Sequence, residues 1–375
     1  MTKRAKRRLK TLTTNERQKA VVNNLTTIVG GIYDQLDAGN IPAMNLPLRS
    51  KKNIEFDSQH NVWKYGDLQT SRTAKTVQGA QMMLRTVYTA DFISEMIREN
   101  KSSTLREMYY ISEGWENAKF STQDESNLLA EDLEIISKCM REDFKLRPEE
   151  SGAHVYGNLD VSTMTKKGMK KFNCMDDVAE TGFAVPYNVE KDNFEIVGCD
   201  AKFIMAIETG GMFARLIENG FPERYGAILV HLSGQPARST RRMIKRLNEE
   251  KGLPVTVFTD GDPWSFRIFA SVAYGAIKTA HISEYLATPT SQFIGITASD
   301  ILNYDLPTDK LSDKDIGALN AELTDPRFAD GFWNSEIHAM LEMKKKSEQQ
   351  ALAKYGLDFV TDTYLPEKLT EMGLL

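Results

Sequence analysis

The chain has 375 residues, of which 41% are hydrophobic and 26% charged, and this composition excludes the disordered and membrane-embedded classes. Its length predicts about two domains at roughly 150 residues each, and its formal net charge of -5 does not indicate a surface coated with basic residues for nucleic acid. It contains no apolar stretch long enough for a membrane span and no secretory signal, so we expect a cytoplasmic protein.

The N-terminal part begins with a basic segment, in which six of the first ten residues are Lys or Arg. This segment is either an arm that contacts DNA or a solvated tail. Apolar residues at near-helical spacing then predict a first helix over 18–37. Alternation of apolar and polar residues over 53–66 predicts a short hairpin that turns at 58–61.

A group of short helices is predicted next. The stretch 73–100 is helical but interrupted near Thr89, which favours two short helices. Another helix opens at Thr104, with Glu107 three residues later in a capping-box pattern, and a further one starts near Ser121 or Thr122. Together with strand-like sequence from residue 154, these helices match a winged helix-turn-helix domain.

A pair of tyrosines lies on the helix that opens at Thr104. A period of 3.6 residues places Leu105, Met108 and Tyr109 on one face and Arg106 with Tyr110 on the other, so Tyr110 is predicted to be exposed. A tyrosine hydroxyl that attacks a phosphodiester needs a nearby positive charge, and Arg106 is placed to supply it. Ordinary surface packing of an amphipathic tyrosine remains the alternative.

After about residue 195, apolar runs alternate with helical segments, as in an open, mostly parallel α/β sheet. Acidic residues follow two of these runs: Glu208 closes FIMAIE, and Asp260 and Asp262 belong to FTDGDP. The carboxyl ends of parallel strands meet at one edge, where three carboxylates would suit magnesium. The alternative is that the DGD sequence is only a turn and a helix cap.

A basic segment, GQPARSTRRMIKRL, lies between those two acidic positions. It would form a helix that holds a phosphate backbone, or simply a solvated basic face. The candidate DNA-binding residues are Arg238, Arg241, Arg242 and Lys245, with Arg246 beside them.

Other site types find no support in the sequence. The three cysteines, Cys139, Cys174 and Cys199, are widely spaced without a CxxC pattern, and the five histidines have no ligand spacing, so zinc is not expected. Neither a dinucleotide fingerprint nor a Walker motif occurs, so no nucleotide cofactor is expected on this chain. If ATP drives the reaction, another chain binds it.

From about residue 70 onwards the sequence resembles the family of DNA topoisomerase VI A subunits, which includes the meiotic double-strand-break protein of eukaryotes. The matching stretches, in family order, are TLREMYYIS, STQDESNLLAEDLE, ESGAHVYGNLDV, FIMAIETGGMF, FTDGDPWSFRIF and HISEYLATPTSQFIGITASDILNYDLP.

The resemblance implies a multidomain α/β protein with a winged-helix, CAP-like domain and a Toprim domain with a mostly parallel sheet. We accordingly expect an N-terminal extension over 1–70, the winged-helix domain over 71–150, and the Toprim domain with C-terminal helical elements over 151–375. The resemblance implies that Tyr110 is the nucleophile and that Arg106 assists it. The magnesium site becomes Glu208, Asp260 and Asp262, with Glu208 also taking part in proton transfer.

The implied reaction joins Tyr110 to the 5′ end of a cut strand of duplex DNA and later reverses to reseal it. A homodimer would cut both strands, with the tyrosine of one protomer meeting the metal of the other, and an ATP-binding B subunit would complete an A2B2 assembly associated with the nucleoid. After the glutamate many members of this family have lysine or another polar residue, whereas Thr209, Gly210 and Gly211 follow it here. There are two alternatives. The chain could be a relative that breaks DNA without resealing it, or a non-catalytic winged-helix protein that binds DNA.

Overall fold

The computed structural model describes residues 13–148 and 153–375, which form two compact units. The first unit contains residues 13–54, 65–148 and 190–192, and the second contains 55–64, 153–189 and 193–375. The basic segment at the start of the sequence lies outside the described residues. The domain boundaries expected from the sequence remain a prediction.

The elements up to residue 148 are mostly helical. Short 3-10 helices cover Lys51–Asn53, Ser112–Gly114 and Glu116–Ala118. In chain order the helices and strands are α1 (Thr14–Asp37), β1 (Ala43–Pro47), β2 (Ile54–Asp57), β3 (Val62–Tyr65), β4 (Gln69–Thr73), α2 (Val77–Arg98), β5 (Ser103–Thr104), α3 (Leu105–Ile111), α4 (Gln123–Ser137) and β6 (Leu146–Arg147).

The predicted first helix is present and starts earlier than its apolar pattern. Thr13 and Glu16 form a reciprocal capping box at the start of α1, which satisfies backbone donors that no helical carbonyl reaches. Val21 and Leu25 are buried and belong to the core of the first unit. A polar cap therefore sets the start of the helix, whereas the apolar spacing shows only its buried face.

The prediction of two short helices over 73–100 is wrong, because α2 is one continuous helix of 22 residues. Thr89 and Ala90, where the break was expected, are both buried within it. A threonine lowers helix propensity by only a fraction of a kcal/mol, about 0.7 or less, and tertiary packing readily overrides that amount. The small side chains at this point are core residues of the helix.

The two helices that follow begin where the sequence predicted. Thr104 and Glu107 form the predicted capping box on α3, and Thr122 caps α4 by accepting from the backbone N–H of Glu125. The strands β5 and β6 form a short parallel pair beside the start of α3. These elements agree with the helices expected for the domain, and its winged-helix character remains a prediction.

The elements from residue 153 onwards are β7 (His154–Tyr156), β8 (Leu159–Thr165), β9 (Gly168–Asn173), β10 (Phe183–Ala184), β11 (Phe194–Cys199), β12 (Phe203–Ile207), α5 (Gly210–Glu218), α6 (Phe221–Tyr225), β13 (Ala227–His231), α7 (Arg238–Lys251), β14 (Val255–Phe258), α8 (Pro263–Ala273), α9 (Ser283–Leu286), β15 (Gln292–Gly295), α10 (Ala298–Asn303), β16 (Asp309–Lys310), α11 (Asp313–Glu322), α12 (Gly331–Met343), β17 (Lys345–Lys346) and α13 (Leu365–Glu371). Shorter 3-10 or π-helical segments cover Ile277–Ile282, Pro326–Phe328, Gln349–Tyr355 and Val360–Tyr364.

A six-stranded sheet forms the centre of the second unit, in the order β10-β7-β13-β12-β14-β15. The neighbouring strands β13, β12, β14 and β15 run parallel to one another. At one side of the sheet, β7 pairs antiparallel with β13, and β10 pairs antiparallel with β7. All five residues of β12 are buried, as expected for a parallel strand with both faces covered. The predicted α/β architecture with a mostly parallel sheet is thus confirmed.

Two smaller β elements belong to the same unit. The predicted hairpin is present as β2 and β3, and Phe56 on it packs edge to face against Trp63 and Tyr274. A three-stranded antiparallel sheet in the order β11-β8-β9 was not predicted as a separate element. Within the described parts of the chain, no helix combines the length and the apolar character needed to cross a membrane.

Candidate functional site

The tyrosine pair lies on α3 in the first unit, in the orientation that the helical period predicted. Met108 is buried and Tyr109 is partly buried, whereas Tyr110 is 64% exposed and Arg106 is exposed as well. The two tyrosine rings contact one another with centroids 5.4 Å apart. A short helix that is capped at Thr104 and anchored by Met108 therefore presents the Tyr110 hydroxyl to solvent.

The acidic residues of the second unit lie at the carboxyl edge of the parallel sheet. Glu208 follows β12 and Asp260 follows β14, and these strands are neighbours with Ile207 opposite Phe258. The backbone N–H of Asp260 donates to a carboxylate oxygen of Glu208 at 3.1 Å. The two strand ends meet as the sequence predicted.

Asp262 has the capping role that the sequence left as an alternative. One of its carboxylate oxygens accepts from the backbone N–H of Ser265 at 2.8 Å, which caps the start of α8. A carboxylate has two oxygens with several lone pairs, so one capping bond leaves capacity for another partner. Capping fixes this side chain beside the strand ends and does not exclude a second role.

The electrostatics of the cluster disfavour its charged form. Burial raises the pKa of Asp260 to about 7, with further increases from the negative charges of Glu208 and Asp262 and a decrease from the Gln349 N–H. Burial likewise raises the pKa of Glu208, while hydrogen bonds from Ser265 and from the Asp260 backbone lower it. A cation bound here would relieve this accumulation of negative charge.

The carboxylates of Glu208, Asp260 and Asp262 are the kind of ligand that a hard divalent cation prefers, although they do not surround a common point. Among residues 13–148 and 153–375, no group of three or more His, Cys, Asp or Glu side chains is close enough together to hold a metal ion. Magnesium usually takes only one or two protein carboxylates and keeps several waters. The carboxylate oxygens of Glu208, Asp260 and Asp262 suit such an open site.

A segment that the sequence analysis missed packs along this edge. Gly261 and Ser347 exchange two backbone hydrogen bonds, of 2.8 and 3.2 Å. The backbone N–H of Gln349 donates to Asp260 at 2.8 Å, across 89 positions of sequence. We call residues 347–350 the strap, because they hold the acidic loop 260–262 in place.

Gln349 contacts both sides of the cluster. Its side-chain oxygen accepts from the hydroxyl of Thr209, the residue after Glu208, at 3.0 Å. The oxygen of the Thr209 hydroxyl also accepts hydrogen bonds from the Met212 backbone N–H and from the Gln350 side chain. Its own proton is therefore donated to Gln349, and this bond identifies which end of the Gln349 amide is the oxygen. The amide nitrogen of Gln349 is buried, and no residue in the described parts of the chain accepts a hydrogen bond from it. Nothing in its local sequence distinguishes this glutamine.

If the acidic edge holds a divalent cation, replacing Gln349 by leucine should weaken its binding by about tenfold, because groups that orient metal ligands typically contribute 10- to 100-fold to affinity. The change removes the bond to Thr209 and keeps the backbone bond to Asp260. Titration of the chain with Mn²⁺, followed by electron paramagnetic resonance, measures the affinity without requiring activity.

The matched control is Gln292→Leu, since Gln292 is exposed at the amino end of β15, the opposite edge of the same sheet. This variant should bind Mn²⁺ as the wild type does. Equal affinities for all three proteins would show that Gln349 only fills space.

The basic helix is not the exposed surface that the sequence suggested. Arg241, Arg242 and Lys245 on α7 are only 6%, 7% and 8% exposed, and Arg238 is partly buried. The Arg242 guanidinium stacks on the ring of Tyr285 at 3.8 Å, and Lys245 donates to the carbonyl of Ala287 at 2.6 Å. The expectation of a solvated basic face is corrected, and DNA contact by these residues stays a prediction that their burial does not support.

Comparisons with known proteins match three consecutive parts of the chain. Residues 81–146 match the family described as "Type IIB DNA topoisomerase", and residues 149–200 match the all-beta domain of the DNA topoisomerase VI alpha chain. Residues 203–369 match the Toprim domain that the topoisomerase 6 A chain shares with Spo11. The first range contains Tyr110, and the third contains Glu208, Asp260 and Asp262.

Curated relatives match nearly the whole chain. A protein of Archaeoglobus fulgidus, named as the A subunit of type 2 DNA topoisomerase 6, is 58% identical over 360 residues, which cover 96% of this chain and 99% of the relative. Proteins of the same name from Haloarcula marismortui and Methanosarcina mazei are 57% and 55% identical, each over 94% of this chain and 95% of the relative.

Proposed function

Since the chain belongs to the family of DNA topoisomerase VI A subunits, we propose that it cuts and rejoins duplex DNA as the cleavage subunit of a type IIB topoisomerase. The observation that carries this proposal is the exposed Tyr110 on a capped helix. The hydrogen bond from the Asp260 backbone to the Glu208 carboxylate, in the part of the chain that matches the Toprim domain, supports it. A regulator that only bound DNA would need neither feature.

The reaction is a transesterification. The Tyr110 oxygen attacks a backbone phosphorus, the bond from phosphorus to the 3′ oxygen breaks, and a 5′-phosphotyrosyl link forms. The tyrosine gives up its proton, the released 3′ oxygen gains one, and reversal restores the strand without an external energy source for the bond. Arg106 provides positive charge for the phosphorane oxygens, and Glu208 of the second copy takes part in the proton transfer.

Magnesium is the cofactor that the acidic edge would hold, through Glu208, Asp260 and Asp262. When bound there, it supplies charge neutralisation at the phosphate. The protein side chains provide hard oxygen ligands, and the strap contacts one of them, Asp260, and pairs with the backbone of Gly261 between the two aspartates. We propose no nucleotide-binding residue on this chain.

The assembly follows from the chemistry. Each chain offers one nucleophilic tyrosine, so cutting both strands of a duplex needs two copies. The relatives are named as one kind of subunit of a larger enzyme, and the chain has no Walker motif, so ATP would be bound by a B subunit. We therefore propose an A2B2 heterotetramer on double-stranded DNA, associated with the nucleoid.

The test is a plasmid relaxation assay with the purified chain and a B subunit from the same source. Supercoiled DNA should become relaxed and covalently closed in the presence of both Mg²⁺ and ATP, and should stay supercoiled when either is omitted. Linear or nicked DNA that is not resealed would favour the break-forming alternative. Retarded plasmid without any change in topology would favour the non-catalytic binding protein.

A further inference from the structure

The hairpin formed by β8 and β9 carries a concentration of lysines that the proposed reaction does not use. Residues 164–171 read MTKKGMKK, with four lysines and no acid in a chain whose net charge is -5. All four lysines are exposed. A positive tip on an acidic chain attracts a polyanion, because surface potential follows local charge more closely than the total.

The lysines at the turn are held by a defined backbone. Thr165 lies opposite Gly168, and the Thr165 hydroxyl donates to the Gly168 carbonyl at 2.7 Å while accepting from the Lys167 N–H at 3.2 Å. Lys166 and Lys167 therefore occupy a closed turn at the end of a paired ladder. Ordering such a turn on a ligand costs less entropy than ordering a free tail.

Most of this charge is not neutralised within the chain. Lys171 pairs with Asp160 at 2.9 Å, and Lys170 lies 4.6 Å from the ring of Phe172. For Lys166, Lys167 and Lys170, no carboxylate in the described parts of the chain is within salt-bridge distance. Three ammonium groups thus remain available to an outside partner.

Protection of a sheet edge explains part of this pattern. The strand β9 is an edge strand of its sheet, and exposed lysines on edge strands discourage pairing with other chains. That role suits Lys170 and Lys171, which lie in the strand. It does not account for Lys166 and Lys167, which lie in the turn beyond the ladder.

We propose that the tip of the β8–β9 hairpin is a binding site for the phosphate backbone of duplex DNA, through Lys166, Lys167 and Lys170. The proposal rests on the proposed function for its choice of polyanion. Exposed lysines contact phosphates as point charges without reading bases, so the site adds affinity without sequence preference. It lies in the part of the chain matched by the all-beta domain, residues 149–200, and outside the range of the Toprim match, residues 203–369.

The test compares wild type with the triple variant Lys166→Gln, Lys167→Gln and Lys170→Gln. Binding of the full-length chain to a fluorescent duplex is measured by anisotropy over a range of salt concentrations. Loss of three phosphate contacts should reduce the slope of log affinity against log salt by about 2 to 3, and affinity at about 0.1 M salt at least tenfold. The control is Lys202→Gln, Lys310→Gln and Lys314→Gln, which makes the same charge change at exposed lysines of the same unit.

An unchanged affinity and salt slope in the triple variant would overturn the proposal. So would weaker binding of the B subunit with unchanged DNA affinity, since Met164 and Met169, opposite one another and about half exposed, would also suit a protein partner. If the triple variant associates through its strand edge, Lys166→Gln with Lys167→Gln alone should still lower the slope by about 2. Covalent attachment of wild type to DNA tests the proposed function separately, so the two failures can be told apart.

Discussion

Replacing Tyr110 by phenylalanine is expected to abolish covalent attachment of the chain to DNA while leaving DNA affinity unchanged. The variant loses only the hydroxyl oxygen that would form the phosphotyrosyl bond, and the exposed ring stays in place on α3. Loss of a nucleophile typically lowers the rate by at least about 1000-fold. The measurement is denaturation of a cleavage reaction containing Mg²⁺, ATP and the B subunit, followed by detection of protein on 5′ ends.

Tyr109→Phe is the matched control, since it removes the same atom from the adjacent ring, 5.4 Å away. Tyr109 is partly buried on the face shared with Met108, so this variant should still become attached to DNA. Attachment that persists in Tyr110→Phe and disappears in Tyr109→Phe would reassign the nucleophile. Attachment by neither variant nor wild type would contradict the proposed reaction.

Replacing Asp260 by asparagine should abolish cleavage and at the same time stabilise the metal-free protein. Asparagine keeps the side-chain oxygen that accepts from the Gln349 N–H but cannot carry charge in this partly buried cluster. Burial, together with the neighbouring carboxylates, disfavours the charge on Asp260, so removing that charge should raise stability, whereas the metal would lose a ligand. We expect the Tm of the metal-free variant at pH 8 to exceed that of wild type by a few degrees, with catalytic loss of at least about 100-fold.

The raised pKa of Asp260 determines the direction in which the stability of the metal-free protein changes with pH. Asp260 has a pKa raised from 3.8 to about 7 in the folded chain, so the unfolded chain releases this proton at lower pH. Its contribution to stability is fully present below about pH 4 and is lost as the pH rises through 7. The Tm difference between Asp260→Asn and wild type should therefore grow from pH 4 to pH 7 and then level off.

Added Mg²⁺ should reverse the order by raising the Tm of wild type at pH 8 and leaving that of Asp260→Asn almost unchanged. Asp200→Asn is the control, because Asp200 is exposed before β12, at the amino end of that strand. Its stability should follow that of wild type at every pH. A metal-free Asp260→Asn protein that is less stable than wild type at pH 8 would show that burial does not disfavour the charge on Asp260.

The sequence predicted those parts of the site that depend on local rules. The capping box at Thr104, the exposed face with Tyr110 and the meeting of Glu208 with Asp260 all follow from helical period, cap chemistry or strand direction. Each of these rules needs only a few neighbouring residues, or the fact that parallel strands end at one edge. For that reason the positions of these side chains could be predicted before the fold was known, while their chemical roles remain a proposal.

The parts that were missed depend on tertiary packing. The basic segment has the charge pattern of a surface helix, yet the ring of Tyr285 and the carbonyl of Ala287 cover Arg242 and Lys245. Gln349 lies 140 positions from Thr209, and a lone glutamine carries no signature of a site. The continuity of α2 was likewise decided by burial of Thr89 rather than by propensity.

The strap is synthesised later than the strands whose ends it contacts. Residues near 350 leave the ribosome long after the strands that end at Glu208 and Asp260, and contacts between such distant segments form late in folding because closing a long loop costs entropy. A chain still being synthesised therefore lacks the segment that holds its acidic loop. The acidic edge would thus be completed only after the strap, 89 positions beyond Asp260, has been made.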